Sequence, residues 1–127
     1  MFLGLRTIIY PARDLDTSKR WYRQLLALEP YFDEPFYVGF NVGGFELGLD
    51  PSAEPDQGPV TYWGVADADA ALARLLECGA SRRGQVTDVG DGIRLATVVD
   101  PDGSVIGIIE NPHFTLAASP AGDGPGR

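Results

Sequence analysis

Apolar and polar residues change rhythm several times along the chain, and each change marks an element. Leu5 to Tyr10 is a β-rich run that Pro11 closes, and Asp14 or Asp16 then supplies a helix N-cap. Trp21, Leu25 and Leu28 recur at helical spacing, predicting a helix of about three turns that lays this stripe on a sheet before Pro30 stops it. "PFYVGFNVGGFELGLDP" predicts two strands joined at Gly43-Gly44, a dipeptide that tolerates the positive φ of a tight hairpin, with a short strand near Tyr31 and Phe32 ahead of them.

Residues 52–59, "SAEPDQGP", are rich in turn formers and poor in large apolar side chains, and beyond them the order of elements repeats. "VTYWGVADADAALARLLECGA" predicts a strand, an acidic cap and a helix with Leu72, Leu75 and Leu76 inward and Gly79 at C′. The stretch from Gln85 to Pro112 supplies a strand, a Gly-Asp-Gly turn, a strand, the Asp100-Pro101-Asp102-Gly103 turn and a final strand. The chain is thus an α+β protein of two βαβββ modules, about residues 5–50 and 59–112, within a single domain over residues 1–115; residues 116–127 have the composition of a disordered tail. Neither module covers both faces of its own sheet. Side by side, with helices outside, the two form a curved mixed sheet, a cup suited to a small molecule.

The 127 residues suffice for one core. The net charge of −8 disfavours nucleic acid and leaves a cationic or neutral small molecule as the easier partner. No apolar run spans a bilayer and no leader precedes the first strand, so the expected location is the cytoplasm, with no membrane partner. Cys78 excludes an internal disulfide and reads as a small buried apolar residue. No nucleotide loop or serine triad motif is present.

"DLDTSKRWYRQLLAL", "VADADAALARLLECGA" and "DPDGSVIGIIENP" resemble the vicinal oxygen chelate superfamily, which includes glyoxalase I, extradiol dioxygenases and the fosfomycin and bleomycin resistance proteins. The resemblance covers about residues 5–112 and implies the glyoxalase/bleomycin resistance fold. "PYFDEPFYVGFNVGGFELGLDP" resembles a bleomycin resistance-like subgroup.

In metal-dependent members of the superfamily four side chains hold a divalent cation, and the motifs carry those positions onto Thr7, Glu46, Val60 and Gly107. Only Glu46 is a ligand type; Val60 and Gly107 have no donor and a threonine hydroxyl is a weak one. The resemblance therefore implies a homodimer that uses neither metal nor cofactor and binds a small aromatic or cationic compound. The alternatives are a glyoxalase-like lyase or isomerase using Glu46 as general base or sole retained metal ligand, and a module whose "NPHFTL" segment binds another protein.

Strand alternation from those positions predicts a cup face of Thr7, Ile9, Glu46, Gly48, Val60, Tyr62, Gly64, Val105, Gly107 and Ile109, the glycines widening the cavity. Tyr37, Trp63 and Arg94 complete the expected ligand-binding set, the aromatics as walls and Arg94 as a counterion. Glu110, three residues beyond Gly107, points to the opposite face. His113, after Pro112, sits on an exit segment packed on the outer sheet edge or a partner.

Overall fold

The computed structural model describes residues 1–114 of the chain, so the expected disordered tail over 116–127 lies outside the described residues. The first module runs β1 (Gly4–Pro11), α1 (Leu15–Leu26), β2 (Phe32–Glu34), β3 (Tyr37–Val42) and β4 (Phe45–Asp50). A 3₁₀ turn, Pro55–Gln57, occupies the expected linker. The second module runs β5 (Val60–Gly64), α2 (Ala68–Glu77), β6 (Ser81–Asp88), β7 (Arg94–Val99) and β8 (Val105–Glu110). All eight strands form one mixed sheet in the order β2-β3-β4-β1-β5-β8-β7-β6. Each module contributes four neighbouring strands. The antiparallel pair β1 and β5 is the seam between them, and the parallel pairs β1 with β4 and β5 with β8 flank it.

Local chemistry explains the boundaries. Asp14 caps α1 by accepting from the Thr17 amide at 3.1 Å, and Asp67 caps α2 by accepting from the Ala70 amide at 3.1 Å. Gly79, at φ +101°, ends α2 in a Schellman arrangement. Its amide donates to the Leu76 carbonyl, and the Ala80 amide reaches back to that of Leu75. Gly43 and Gly44, at φ +63° and +93°, make the first-module hairpin. The Asp100 carboxylate accepts from the amides of Asp102 and Ser104, both at 2.9 Å, and so forms the turn into β8.

Two separate cores lie between the sheet and the helices. Beneath α1 are Ala12, Val38, Phe40 and Leu49; Ala68, Ala71 and Leu72 of α2 pack on Val65, Ala96, Val98 and Ile108. Leu75 and Leu76 pack against the second core as expected. On α1 the expected stripe is wrong: Trp21, Leu25 and Leu28 are exposed, and Leu15, Tyr22 and Leu26 face the sheet instead. Both stripes have helical spacing, and the sheet selects the one that follows directly from the Asp14 cap. Cys78 is also exposed: it is the C-cap residue, beyond the last turn of α2, where the chain turns away toward Gly79. No helix among the described residues is long and apolar enough to cross a membrane.

Candidate functional site

The sheet face away from the helices is concave and forms an open cavity of about 810 Å³, the size that takes a drug-sized ligand. Its walls are mainly aromatic and aliphatic: Tyr31, Phe32, Phe36 and Tyr37 from the first module, Tyr62, Ile93, Leu95 and Ile109 from the second, and Ile9 at the seam. Polar groups are few and converge from both modules, chiefly Arg6, Thr7, Glu46, Asp50, Asn111 and His113.

Glu46 lies at the centre. Parallel pairing sets it level with Thr7, antiparallel pairing sets Thr7 level with Tyr62, and the next parallel pair sets Tyr62 level with Gly107. One row of four neighbouring residues thus crosses the seam. The Thr7 hydroxyl, buried at 6% exposure, donates to Glu46 Oε1 at 3.2 Å, and the Tyr31 hydroxyl donates to Oε2. A carboxylate on an apolar cup face thereby has the partners its burial requires.

The tyrosines have their own seats. Tyr37 lays its hydroxyl over Gly48, Tyr31 packs on Gly39, and the Tyr62 ring lies on Gly107, where an added Cβ would fall 2.4 Å from Tyr62 Cδ2. Gly48, Gly64 and Gly107 were expected to widen the cavity. Instead each is covered by a larger side chain that uses the missing Cβ as a platform, Gly64 by that of Arg6. Tyr31 keeps much of its ring exposed, but removal of its hydroxyl end from water, then the hydrogen bond to Glu46 and its negative charge, raise the phenol above its usual 10. Burial followed by the Glu46 charge does the same at Tyr37. Tyr62 is raised mainly by burial; Arg83 opposes the shift and Asp50 adds to it.

Of the nine expected ligand-binding residues, Thr7, Ile9, Tyr37, Glu46 and Tyr62 line the cavity. Four do not. Val60 stands one step along β5, opposite Ile9, outside the lining. Gly107 is covered by Tyr62. Trp63 alternates with Tyr62, so it points away from the cup, beside buried Ile108, and stacks on Phe2 with ring centroids 5.4 Å apart. Arg94 alternates with Leu95 and emerges on the helix side, paired with Asp69 at 2.8 Å and Glu110 at 3.6 Å. Glu110 is on that outer face as expected, accepting from the Ala68 amide at 2.9 Å at the start of α2. His113 departs from expectation: its exit segment folds over the cup mouth, where Nε2 lies 2.8 Å from the Asp91 carbonyl oxygen.

Arg6 and Tyr31 enter the site without having been expected there. Leu5 faces Trp63 and Thr7 faces Tyr62, so β1 spends two residues against one of β5; this bulge turns Arg6 into the cup. Simple alternation hides it. Tyr31 precedes its strand and is positioned by its amide, which donates to the Gly39 carbonyl at 3.0 Å.

The donor set does not fit the divalent cation of the metal-dependent superfamily members. Thr7 donates to Glu46, Val60 is apolar, and the space a side chain at Gly107 would take is filled by the ring of Tyr62, whose phenol is held neutral. Among the described residues no group of three His, Cys, Asp or Glu side chains could hold a metal ion.

Among curated proteins no sequence match was found. The fold, however, is shared with solved structures of low identity. Methylmalonyl-CoA epimerase of Streptomyces coelicolor in complex with 2-nitronate-propionyl-CoA superposes with a TM-score of 0.73 at 18% identity, over 88% of this chain and 99% of that one. A glyoxalase/bleomycin resistance protein/dioxygenase superfamily member from Vibrio splendidus gives 0.66 at 17%, over 84% and 99%. The Mn(II)-bound glyoxalase of Novosphingobium aromaticivorans gives 0.69 at 18%, over 94% of this chain but 42% of that one. The family model for the glyoxalase-like domain matches residues 7–109, a span that holds most of both modules and the whole Glu46 row, and the chain therefore belongs to the glyoxalase-like domain family.

Proposed function

We propose that the chain is a metal-free small-molecule-binding protein of the bleomycin resistance type, sequestering an aromatic or cationic compound in the cup. The observation that carries this reading is the exposed apolar lining around two carboxylates, Glu46 and Asp50. Phe36 is 65% exposed, Tyr31 62% and Val89 56%, all on the walls of one cavity. Apolar surface of this kind gains about 25 cal/mol per Å² when a ligand covers it, and a flat ring can stack on the aromatic walls. Glu46 then accepts from a cation or N–H group on the ligand.

A thermal-shift screen of planar cationic and neutral aromatic compounds, run with and without a chelator, tests the reading. Hits that raise the melting temperature by several degrees in both conditions support it. A screen without hits, or stabilisation abolished by chelator and restored by a divalent metal, overturns it. One observation favours a second reading, a lyase or isomerase with Glu46 as general base: both carboxylate oxygens are fixed by hydroxyl donors inside an apolar cup. Glu46→Gln separates the two, since a base is lost with the charge and turnover of any substrate would fall by orders of magnitude.

A further inference from the structure

Arg6 is placed in the cavity by a β-bulge, and bulges recur where a strand must aim a side chain out of turn. Its seat is built by packing. An added Cβ at Gly64 would lie 2.5 Å from Nε and 2.7 Å from Cζ, so only glycine leaves room for the guanidinium there. The Phe114 ring stacks on it, its centroid 3.8 Å from Cζ. Charge does not hold it. Among the described residues Arg6 makes no ion pair, whereas Arg23 and Arg94 are paired with carboxylates, and its one hydrogen bond is a long 3.4 Å contact to the Leu5 carbonyl. A guanidinium has five N–H donors in a planar fork that matches a carboxylate, so most of this fork is left to serve the cavity.

The cup carries three charged side chains, Arg6, Glu46 and Asp50, and Asp50 already accepts from the Ser52 amide and hydroxyl at 2.9 and 2.7 Å. Arg6 adjoins Thr7, and Thr7 donates to Glu46, so one ligand of ordinary size reaches both. The net charge of −8 opposes entry of a dianion such as a phosphate monoester, but scarcely affects a molecule that carries its own balancing cation. We propose that Arg6 is the anion-reading residue of the cup and that its ligand is an amphoteric aromatic compound, with its carboxylate on Arg6 and its protonated nitrogen on Glu46. This rests on the cup being a binding site for aromatic compounds and adds the class of compound.

Titration calorimetry with four probes that share one ring tests it: indole, tryptamine, indole-3-acetate and tryptophan. Tryptophan is expected to bind at least tenfold more tightly than indole, the scale of one charge-assisted bidentate contact. Arg6→Met should bring tryptophan down to the affinity of tryptamine, and Arg6→Lys, which keeps the charge but not the fork, should recover only part. The comparison within the native protein decides the matter even if a variant fails to fold. If indole and tryptamine bind and the carboxylate adds nothing, or if folded Arg6→Met keeps the full preference, the assignment to Arg6 falls while the aromatic cup stands. If none of the four binds, both fall together.

Discussion

Replacing Gly107 by alanine tests the way Tyr62 closes the fourth ligand position of the superfamily. The backbone at Gly107 is not in the left-handed region, so the change introduces no φ strain and relieves the entropic cost of a strand glycine, a gain of about 0.5–1 kcal/mol. Against this, the new methyl would sit 2.4, 2.6 and 2.7 Å from three carbons of the Tyr62 ring, well inside van der Waals contact. The ring must leave its platform and tilt into the cup. Overpacking of this kind costs roughly 1–3 kcal/mol, so the net expectation is a loss of about 0.5–2 kcal/mol. Urea unfolding of four proteins measures it: native, Gly107→Ala, Tyr62→Ala and the double variant. With the ring gone the methyl has nothing to meet, so Gly107→Ala should be stabilising by the glycine term alone in the Tyr62→Ala background, and the cycle should yield a coupling of about 1–3 kcal/mol, the overpacking cost itself. Equal effects of Gly107→Ala in both backgrounds would refute the seat.

Other expectations follow from the same geometry. The phenols of Tyr31 and Tyr37 are raised above their unfolded value of 10, so the folded state holds those protons more tightly; the stability this confers is complete below about pH 10 and is lost as pH rises beyond it. Absorbance at 295 nm should show them ionising only as the protein unfolds, and a reversible native titration near pH 10 that disappears in Tyr31→Phe would contradict this. Glu110→Ala should cost about 1–2 kcal/mol by removing the carboxylate that receives the Ala68 amide and pairs with Arg94, while Glu110→Gln, which keeps the acceptor, should cost less than half as much in denaturant. Trp21→Gln should change stability by under about 0.5 kcal/mol and Leu26→Ala by 1 kcal/mol or more, which thermal melts can rank.

The sequence makes the repeated module, an acidic cap on each helix, Gly79 and the Gly43-Gly44 hairpin legible because each depends on neighbouring residues alone, though it does not choose between Asp14 and Asp16. Thr7 and Glu46 are legible through the ligand positions that the family resemblance implies, and strand parity extends that face to Ile9 and Tyr62. Parity equally excludes Trp63 and Arg94, whose neighbours Tyr62 and Leu95 take the inward places. Arg6 is hidden because its position depends on a pairing between β1 and β5 more than fifty residues apart, where one extra residue resets the alternation. The side of α1 that is buried is hidden for a related reason: periodicity yields two apolar stripes, and only the docked sheet distinguishes Tyr22 and Leu26 from Trp21 and Leu25. The glycines reveal small size but not their occupants, since the tyrosines that cover Gly39 and Gly107 arrive from other strands or loops.

The division of the interior into two clusters that share no buried side chain has an energetic corollary. Truncating Phe40 on one side and Ile108 on the other should weaken the molecule by amounts that simply sum, because the two side chains belong to separate clusters on either side of the pairing between the first and fifth strands.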